Sequence, residues 1–476
     1  MKELKCKDIA RMAKGEIIGG DENAVVNNVV IDSRKAAAGS LFVALKGENH
    51  DAHAFLEGAC AGGAAALLIS NRAEGEKLLR AGADTASAAP SGPHRLPCVI
   101  LVPDTQRALA DLAAAYIKTF ENLKVVGVTG STGKTSTKDM LHAVLSEKYK
   151  TAKTMGNFNN ELGLPLTVLG LEEGTEAVVL EMGMSAFGEI HYLVDIAKPD
   201  VGIITNVGIS HIENLGSREN ILKAKLEITD YFNENNLLII YDDGDVLCRQ
   251  SAEGNYRLKT VGNSGYSDLI ISDVEDRGAD GLSYSLEVDE KIYHIKLPVA
   301  GVHNAMNASL AIAAGIELGV SPEQAAEGLA KLTLTDKRLS VKAADGIKVI
   351  DDTYNASPDS MKAGIGVLVH TAGIRKVAIL GDMFELGEDS LRYHREVGEF
   401  AGRQKIDMVI AIGENAKAIA EGALENMPKE RVLHFNSKKD FIMEIGDIIT
   451  KGDVVLVKGS RGMAMEEIVE KILKGE

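Results

Sequence analysis

The run Lys124-Val-Val-Gly-Val-Thr-Gly-Ser-Thr-Gly-Lys-Thr-Ser136 restricts the possible folds of this chain more than any other stretch. An apolar strand breaks into a glycine turn and then into a helix from Lys134 to about Glu147, the arrangement that cradles nucleotide phosphates. Gly130 and Gly133 let backbone amides approach phosphate oxygens, and Ser131, Thr132 and Ser136 complete the loop around them. Lys134 supplies a point charge for the outer phosphates, and the Thr135 hydroxyl can ligate Mg²⁺. Val128 stands where the common pattern has a glycine, so the loop is a Thr129-Gly-x-x-Gly-Lys-Thr variant. The ligand it implies is ATP. The loop alone does not separate kinases, switches and ligases.

With 476 residues, 45% hydrophobic and 25% charged, the chain is too long for one core, and two or three domains are expected. The first residues carry no apolar signal core, and no stretch has the apolar length of a membrane span, so a cytoplasmic protein with no membrane partner is expected. Cys6, Cys60, Cys98 and Cys248 lie far apart and read as buried free thiols, not as a zinc site or a disulfide framework. A net charge of -17 argues against a nucleic-acid partner. Anionic substrates must then be held by local cations and helix ends.

Along the chain, Gly82-Ala-Asp-Thr-Ala-Ser-Ala-Ala-Pro-Ser-Gly-Pro-His94 reads as an exposed loop or insertion. Pro97 to Val102 follows as a strand, and Asp104 to Phe120 as a helix, placing a boundary near residue 104. Strands at 125–129, 176–181, 201–206 and 237–241 alternate with helical patterning and imply a parallel, doubly wound sheet. Residues 268–297 suggest an antiparallel addition, and 304–318 an alanine-rich helix. A second series of strands at 348–351, 376–380, 408–412 and 454–457 implies a Rossmann-like unit. The expected fold is thus α/β with three domains, 1–104, 105–333 and 334–476, the middle one carrying the phosphate loop.

In open parallel sheets ligands bind beyond the carboxyl ends of the strands. Glu181 and His211 break apolar runs there and, with Thr135, make a candidate magnesium shell. Farther on, Ile221-Leu-Lys-Ala-Lys-Leu-Glu-Ile228 offers Lys223 and Lys225 two positions apart, on different faces of a helix, so only one can enter a site. Solvent exposure of both is the default for that residue type.

These segments together resemble the Mur ligase family, which joins amino acids to a UDP-linked muramic acid, and the likeness spans essentially the whole chain. Thr129 to Thr137 is similar to its phosphate loop, and Glu181 and His211 match its magnesium-binding positions. Lys225 falls where the family carries a lysine converted by CO₂ to a carbamate, an anion able to bridge metal where an ammonium would repel it. His303-Asn-Ala-Met-Asn307, with Asn304 and Asn307, is similar to the helix that contacts the nucleotide; Arg338 and Asp352 are implied to complete the ATP site.

Within the family, four segments are similar to the members that use D-alanyl-D-alanine as amine and UDP-N-acetylmuramoyl-tripeptide as carboxylate. They are Thr154-Met-Gly-Asn-Phe-Asn-Asn-Glu-Leu-Gly-Leu-Pro165, Asp351-Asp-Thr-Tyr-Asn-Ala-Ser-Pro-Asp-Ser-Met361, Gly381-Asp-Met-Phe-Glu-Leu-Gly387 and Lys458-Gly-Ser-Arg461. The resemblance implies substrate roles for Asn157, Asn159, Asn160, Tyr354, Asn355, Lys458 and Arg461. It assigns the UDP end to Ser33, Arg34 and Lys46 in Asp32-Ser-Arg34 and Phe42-Val-Ala-Leu-Lys-Gly47. Ser357 and Pro358 also read, from residue type alone, as the cap and first position of a helix. The implied chemistry is ATP-driven amide formation through an acyl phosphate, with ATP, Mg²⁺ and a carbamate on Lys225; a monomer is the default expectation. Rival readings are another ligase of the superfamily, such as a folylpolyglutamate synthase, and a phosphate-loop switch.

Overall fold

The computed structural model describes residues 1–47, 50–88, 96–333 and 338–475. Contacts gather the chain into two units, one of Met1–Val125, Lys150–Met182 and His191–Lys198, the other of Val126–Tyr149, Gly183–Ile190 and Pro199–Glu476.

In the first unit, short apolar runs bounded by glycine and polar residues form a five-stranded sheet. Its order is Glu16–Gly19, Cys98–Leu101, Ala66–Ile69, Ser40–Val43, Asn28–Val30, antiparallel at the first pair and parallel thereafter. Phe42, Leu56, Leu67, Ile69 and Val99 pack on one another in its core. The strand Cys98–Leu101 and the helix Thr105–Ile117 lie where the sequence pattern puts them, and Asp104 caps that helix by accepting from the amides of Gln106 and Arg107. Thr151–Lys153 pairs in parallel with Ala177–Glu181, which ends on Glu181.

The loop expected at 82–94 is corrected in its first half. The helix Arg72–Ala88 runs through it, because Ala83, Ala86 and Ala88 sustain helical propensity across Gly82 until proline is near. Residues 89–94 of that stretch lie outside the described residues. The reading of all four cysteines as buried also needs correction: all are free, but only Cys6 and Cys98 are buried, and Cys60 and Cys248 are half-buried.

In the second unit, strands run in the order Lys124–Thr129, Val201–Ile204, Leu237–Tyr241, Arg257–Gly262, Leu269–Asp276, Leu282–Val288, Lys291–Leu297. The first five are parallel and the last two antiparallel. Helices Lys134–Ser146 and His303–Glu317 pack together. A second sheet has the order Ser340–Ala344, Ile347–Asp352, Asp453–Lys458, Arg375–Gly381, Met408–Ile412, Val432–Phe435, parallel except at its first pair. Successive residues of its strands feed opposite cores. Ile350, Leu380 and Leu456 face Met361, Ile365 and Val397, whereas Val349, Ile379 and Val455 face Phe441, Ile468 and Ile472. Such strands are apolar on both sides because helices cover both faces. The α/β class with parallel sheets is therefore the architecture of this chain.

Candidate active site

The strand Lys124–Thr129 is buried from Val125 to Thr129, and the chain leaves it through Gly130 at φ 151° and enters the next helix through Gly133 at φ 79°. At Gly133 the left-handed backbone suits glycine, and a Cβ would stand 2.6 Å from Asn307 Oδ1. The turn is braced by the segment after the neighbouring strand Val201–Ile204. Ser131 N–H donates to Asn206 O at 3.1 Å and Thr132 N–H to Asn206 Oδ1 at 3.0 Å. Asn206 Nδ2 donates to Thr132 Oγ1 at 2.7 Å, Thr205 Oγ1 to Thr132 O at 2.5 Å, and Gly208 N–H to Ser131 Oγ at 2.9 Å. Thr205 and Asn206 escaped the reading of the sequence. Their signal was there, since they are the polar pair that ends Val-Gly-Ile-Ile beside the phosphate-loop strand.

Lys134 Nζ donates to Gly130 O at 2.7 Å, folding over the loop it serves. Behind the loop, Asn304 Nδ2 donates to Ala300 O at 2.6 Å and Asn307 Nδ2 to Asn304 Oδ1 at 3.1 Å. This chain of buried amides leaves Asn307 Oδ1 at the edge of the loop, facing Gly133.

Lys223 and Lys225 separate as their spacing requires, on the helix Arg218–Leu226 that Ser217 caps. Lys223 is exposed and Lys225 is buried, so the default of two solvent-facing lysines is corrected. The reason is register: Ile221, Leu222 and Ala224 are buried on the same helix and carry Lys225 inward with them. Burial, reinforced by the charge of Lys134, pushes the Lys225 amine well below the ordinary lysine range. His211 adopts φ 63° at the start of the short helix Ile212–Leu215, with Nδ1 2.6 Å from Glu385 Oε2. Burial lowers its pKa; Glu385 opposes that shift, while Lys134 and Lys225 reinforce it.

The remaining residues of this unit are held as follows. Lys458 Nζ pairs with Asp352 Oδ2 at 2.5 Å and donates to Asn355 O at 2.9 Å. The Arg338 guanidinium lies 4.3 Å from the Tyr354 ring centre. Ser357 and Pro358 begin a helix as expected, Ser357 forming a reciprocal cap with Ser360. Arg461 pairs with Glu466 at 2.8 Å. A cleft of about 400 Å³ beside the loop is lined by Thr132, Asn206, Gly208, Arg218, Asp359 and Lys362 among others.

In the first unit, Glu181 is buried, takes Asn159 Nδ2 on Oε1 at 2.9 Å, and donates its own N–H to Thr154 Oγ1 at 3.0 Å. Asn160 Oδ1 accepts from Gly163 N–H at 2.9 Å, opening the helix Gly163–Leu169, and Asn157 O accepts from Asn159 N–H at 2.8 Å. Ser33 starts a turn capped by Asp32, and Arg34 grips Asp32 through Nε and Nη2 at 2.9 and 2.8 Å. Hydrogen bonds from the Arg34 side chain and amide hold the Asp32 carboxyl down to about 2. Lys46 is exposed and pairs through its backbone with Asp51.

Among the described residues, no group of three or more His, Cys, Asp or Glu could by itself hold a metal. The donors available suit Mg²⁺ nonetheless, because that ion takes few protein ligands and prefers carboxylate, hydroxyl and phosphate oxygen. The Thr135 hydroxyl, in the first turn of the helix Lys134–Ser146, is an oxygen donor of that kind. Lys225 as an ammonium does not fit a cation, but its depressed amine is the form that reacts with CO₂.

Family models match along the chain. The Mur ligase family catalytic domain covers residues 25–117, the Mur ligase middle domain 128–315, and the Mur ligase glutamate ligase domain 337–461. A UDP-N-acetylmuramoyl-tripeptide--D-alanyl-D-alanine ligase of Bacillus subtilis is 43% identical over 98% of this chain and 98% of its own length. The crystal structure of MurF from Acinetobacter baumannii superposes with a TM-score of 0.86 at 30% identity, covering 100% of this chain and 99% of that one. MurF ligase from Thermotoga maritima in complex with ADP has a TM-score of 0.78 at 30% identity, over 94% and 98% of the two chains. The glycine loop braced by Thr205 and Asn206, the amide chain behind it and the buried Lys225 thus lie on a chain matched over nearly its whole length by such ligases, and the chain belongs to the Mur ligase family.

Proposed function

We propose that the protein joins D-alanyl-D-alanine to UDP-N-acetylmuramoyl-tripeptide, driven by ATP, in the synthesis of peptidoglycan precursor. The observation that carries this is identity of 43% over nearly the full length to a relative named for that reaction. The terminal carboxylate of the tripeptide takes the γ-phosphoryl group and becomes an acyl phosphate. The dipeptide amine then attacks, and the tetrahedral intermediate expels phosphate. No covalent enzyme intermediate is needed, so the work of the residues is positioning and charge compensation.

The phosphate loop would hold the nucleotide through its amides at the start of the helix Lys134–Ser146, with Lys134 leaving Gly130 O to meet the outer phosphates. Asn307, placed against Gly133, would border the same nucleotide; Arg338 and Asp352 are assigned to it by the family likeness. Mg²⁺ when bound offsets the charge on the transferred phosphoryl group. Thr135, His211 and a carbamylated Lys225 would hold it, and the motif likeness alone adds Glu181. What supports the carbamate is a buried lysine whose amine burial and the charge of Lys134 push well below the ordinary lysine range. Ser33, Arg34 and Lys46 are assigned the UDP end; Asn157, Asn159, Asn160, Tyr354, Asn355, Lys458 and Arg461 the peptide parts. Lys458 and Arg461 meet carboxylates of the protein itself, so any substrate carboxylate would have to compete with Asp352 and Glu466.

The three-domain division at 1–104, 105–333 and 334–476 belongs to the same proposal. Support for its first boundary is the end of the five-stranded sheet at Leu101 and the helix cap at Asp104. The second boundary abuts residues 334–337, outside the described residues. The enzyme would act as a monomer in the cytoplasm, where ATP and nucleotide-linked precursors are available.

Phosphate release with each substrate omitted in turn tests the function. A ligase consumes ATP only with both the UDP-tripeptide and D-alanyl-D-alanine present; slow hydrolysis indifferent to both would identify a switch instead. In the folded Lys134→Ala variant turnover should fall by about 10³-fold, as when one charge-stabilising group is removed from other phosphoryl-transfer sites.

A further inference from the structure

The segment Gly381-Asp-Met-Phe-Glu-Leu-Gly387 has no part in the function so far, yet it is pinned at three consecutive residues, by one carboxylate and two backbone amides. Asp382 Oδ1 accepts from Ala416 N–H at 2.6 Å, Met383 N–H donates to His394 Nε2 at 2.9 Å, and Phe384 N–H donates to Ser460 Oγ at 2.9 Å. His394 is itself buried and fixed by donating from Nδ1 to Ser390 O at 2.7 Å. All this anchoring ends on Glu385, whose backbone is left-handed at φ 62° and whose carboxylate is more than half exposed, so no core holds it there. Its partner is His211, equally left-handed at φ 63°, with Nδ1 2.6 Å from Glu385 Oε2. Two non-glycine residues in that region facing each other mark strain maintained by the surroundings, and such strain collects where geometry serves function. A second contact fixes the approach, because Gly387 lies against Glu213 in the helix that follows His211.

We infer that Glu385 is a positioning residue, whose carboxylate holds the His211 imidazole with its proton on Nδ1 and thereby turns the Nε2 lone pair outward for use in the reaction. The inference rests on the assignment of His211 to the site in the proposed function. A carboxylate on the far nitrogen is how histidines that ligate metals are commonly fixed in tautomer and orientation. The 2.6 Å contact is not aligned as a straight hydrogen bond, and contacts of this kind often tighten only once a reacting complex assembles. The carboxylate comes from the strand-end loop of the second sheet, whereas His211 follows a strand of the first. The pair therefore makes the geometry of His211 depend on where the loop 381–387 stands.

Two measurements on the full chain test this. The ring ¹⁵N shifts of His211, assigned through their loss in His211→Gln, should report the Nδ1–H form in the metal-free protein. In Glu385→Ala they should move toward the Nε2–H form, while Glu385→Gln, which keeps an acceptor, should stay close to the parent. In kinetics, Glu385→Ala should lower kcat by about 10- to 100-fold with little change in KM for the UDP substrate, and should cost nothing further in a His211→Ala background. Unchanged His211 shifts in Glu385→Ala, or losses that multiply in the double variant, overturn the inference. Absence of ligation by the parent would instead count against the proposed function and leave the ¹⁵N result to decide the role of Glu385.

Discussion

Replacing Lys458 by methionine should destabilise the second sheet by far more than the Lys458–Asp352 pair contributes when intact. Nζ and Oδ2 are 2.5 Å apart, with side-chain exposures of 3% for Lys458 and 13% for Asp352. At an effective dielectric of about 20 that separation corresponds to roughly 7 kcal/mol of attraction. Taking the two ions out of water costs several kcal/mol each, so the pair nearly cancels. Methionine removes the attraction and the hydrogen bond to Asn355 O, fills most of the lysine volume, and leaves Asp352 buried without its cation. The expected loss is about 3–5 kcal/mol. The double variant Lys458→Met with Asp352→Leu removes both desolvation costs and should return to within about 1 kcal/mol of the parent. Hydrogen exchange of the amides in Ile347–Asp352 and Asp453–Lys458, measured in the full chain, reads the local opening free energy directly. A loss under about 1 kcal/mol in the single variant, or a double variant no more stable than the single, would refute the reasoning.

Two further outcomes follow from burial. Lys225→Ala should abolish ligation and Lys223→Ala should matter little, because only Lys225 is buried; peptide mass spectrometry under CO₂ should find the added CO₂ on Lys225, and full activity in Lys225→Ala would remove it from the site. Burial also depresses the pKa of His303 and His394 below their ordinary value of 6.5, so the unfolded chain binds more protons just below that pH. Their contribution to stability is whole above about 6.5 and is lost as pH falls through the lower folded values. Denaturation midpoints measured across that window should fall with pH, and the slope should flatten in His394→Gln.

Much of this was legible because it is local. Alternation of apolar runs and turn residues located the strands Leu237–Tyr241 and Met408–Ile412 to the residue, and Gly130, Gly133 and Lys134 declared a phosphate loop before any contact was known. Helical register similarly required Lys223 and Lys225 to part, but which of them turns inward depends on what packs beside Ile221 and Ala224. The helix through Gly82–Ala88 went unread because small residues serve a loop and a helix equally in composition. Bracing of the loop by Thr205 and Asn206, the burial of Lys458 against Asp352, and the meeting of His211 with Glu385 join residues 73 to 174 positions apart. Hydrogen bonds and ion pairs carry no period along the chain, so sequence by itself determined the elements and the nucleotide loop, and only the tertiary structure decided which polar groups face one another.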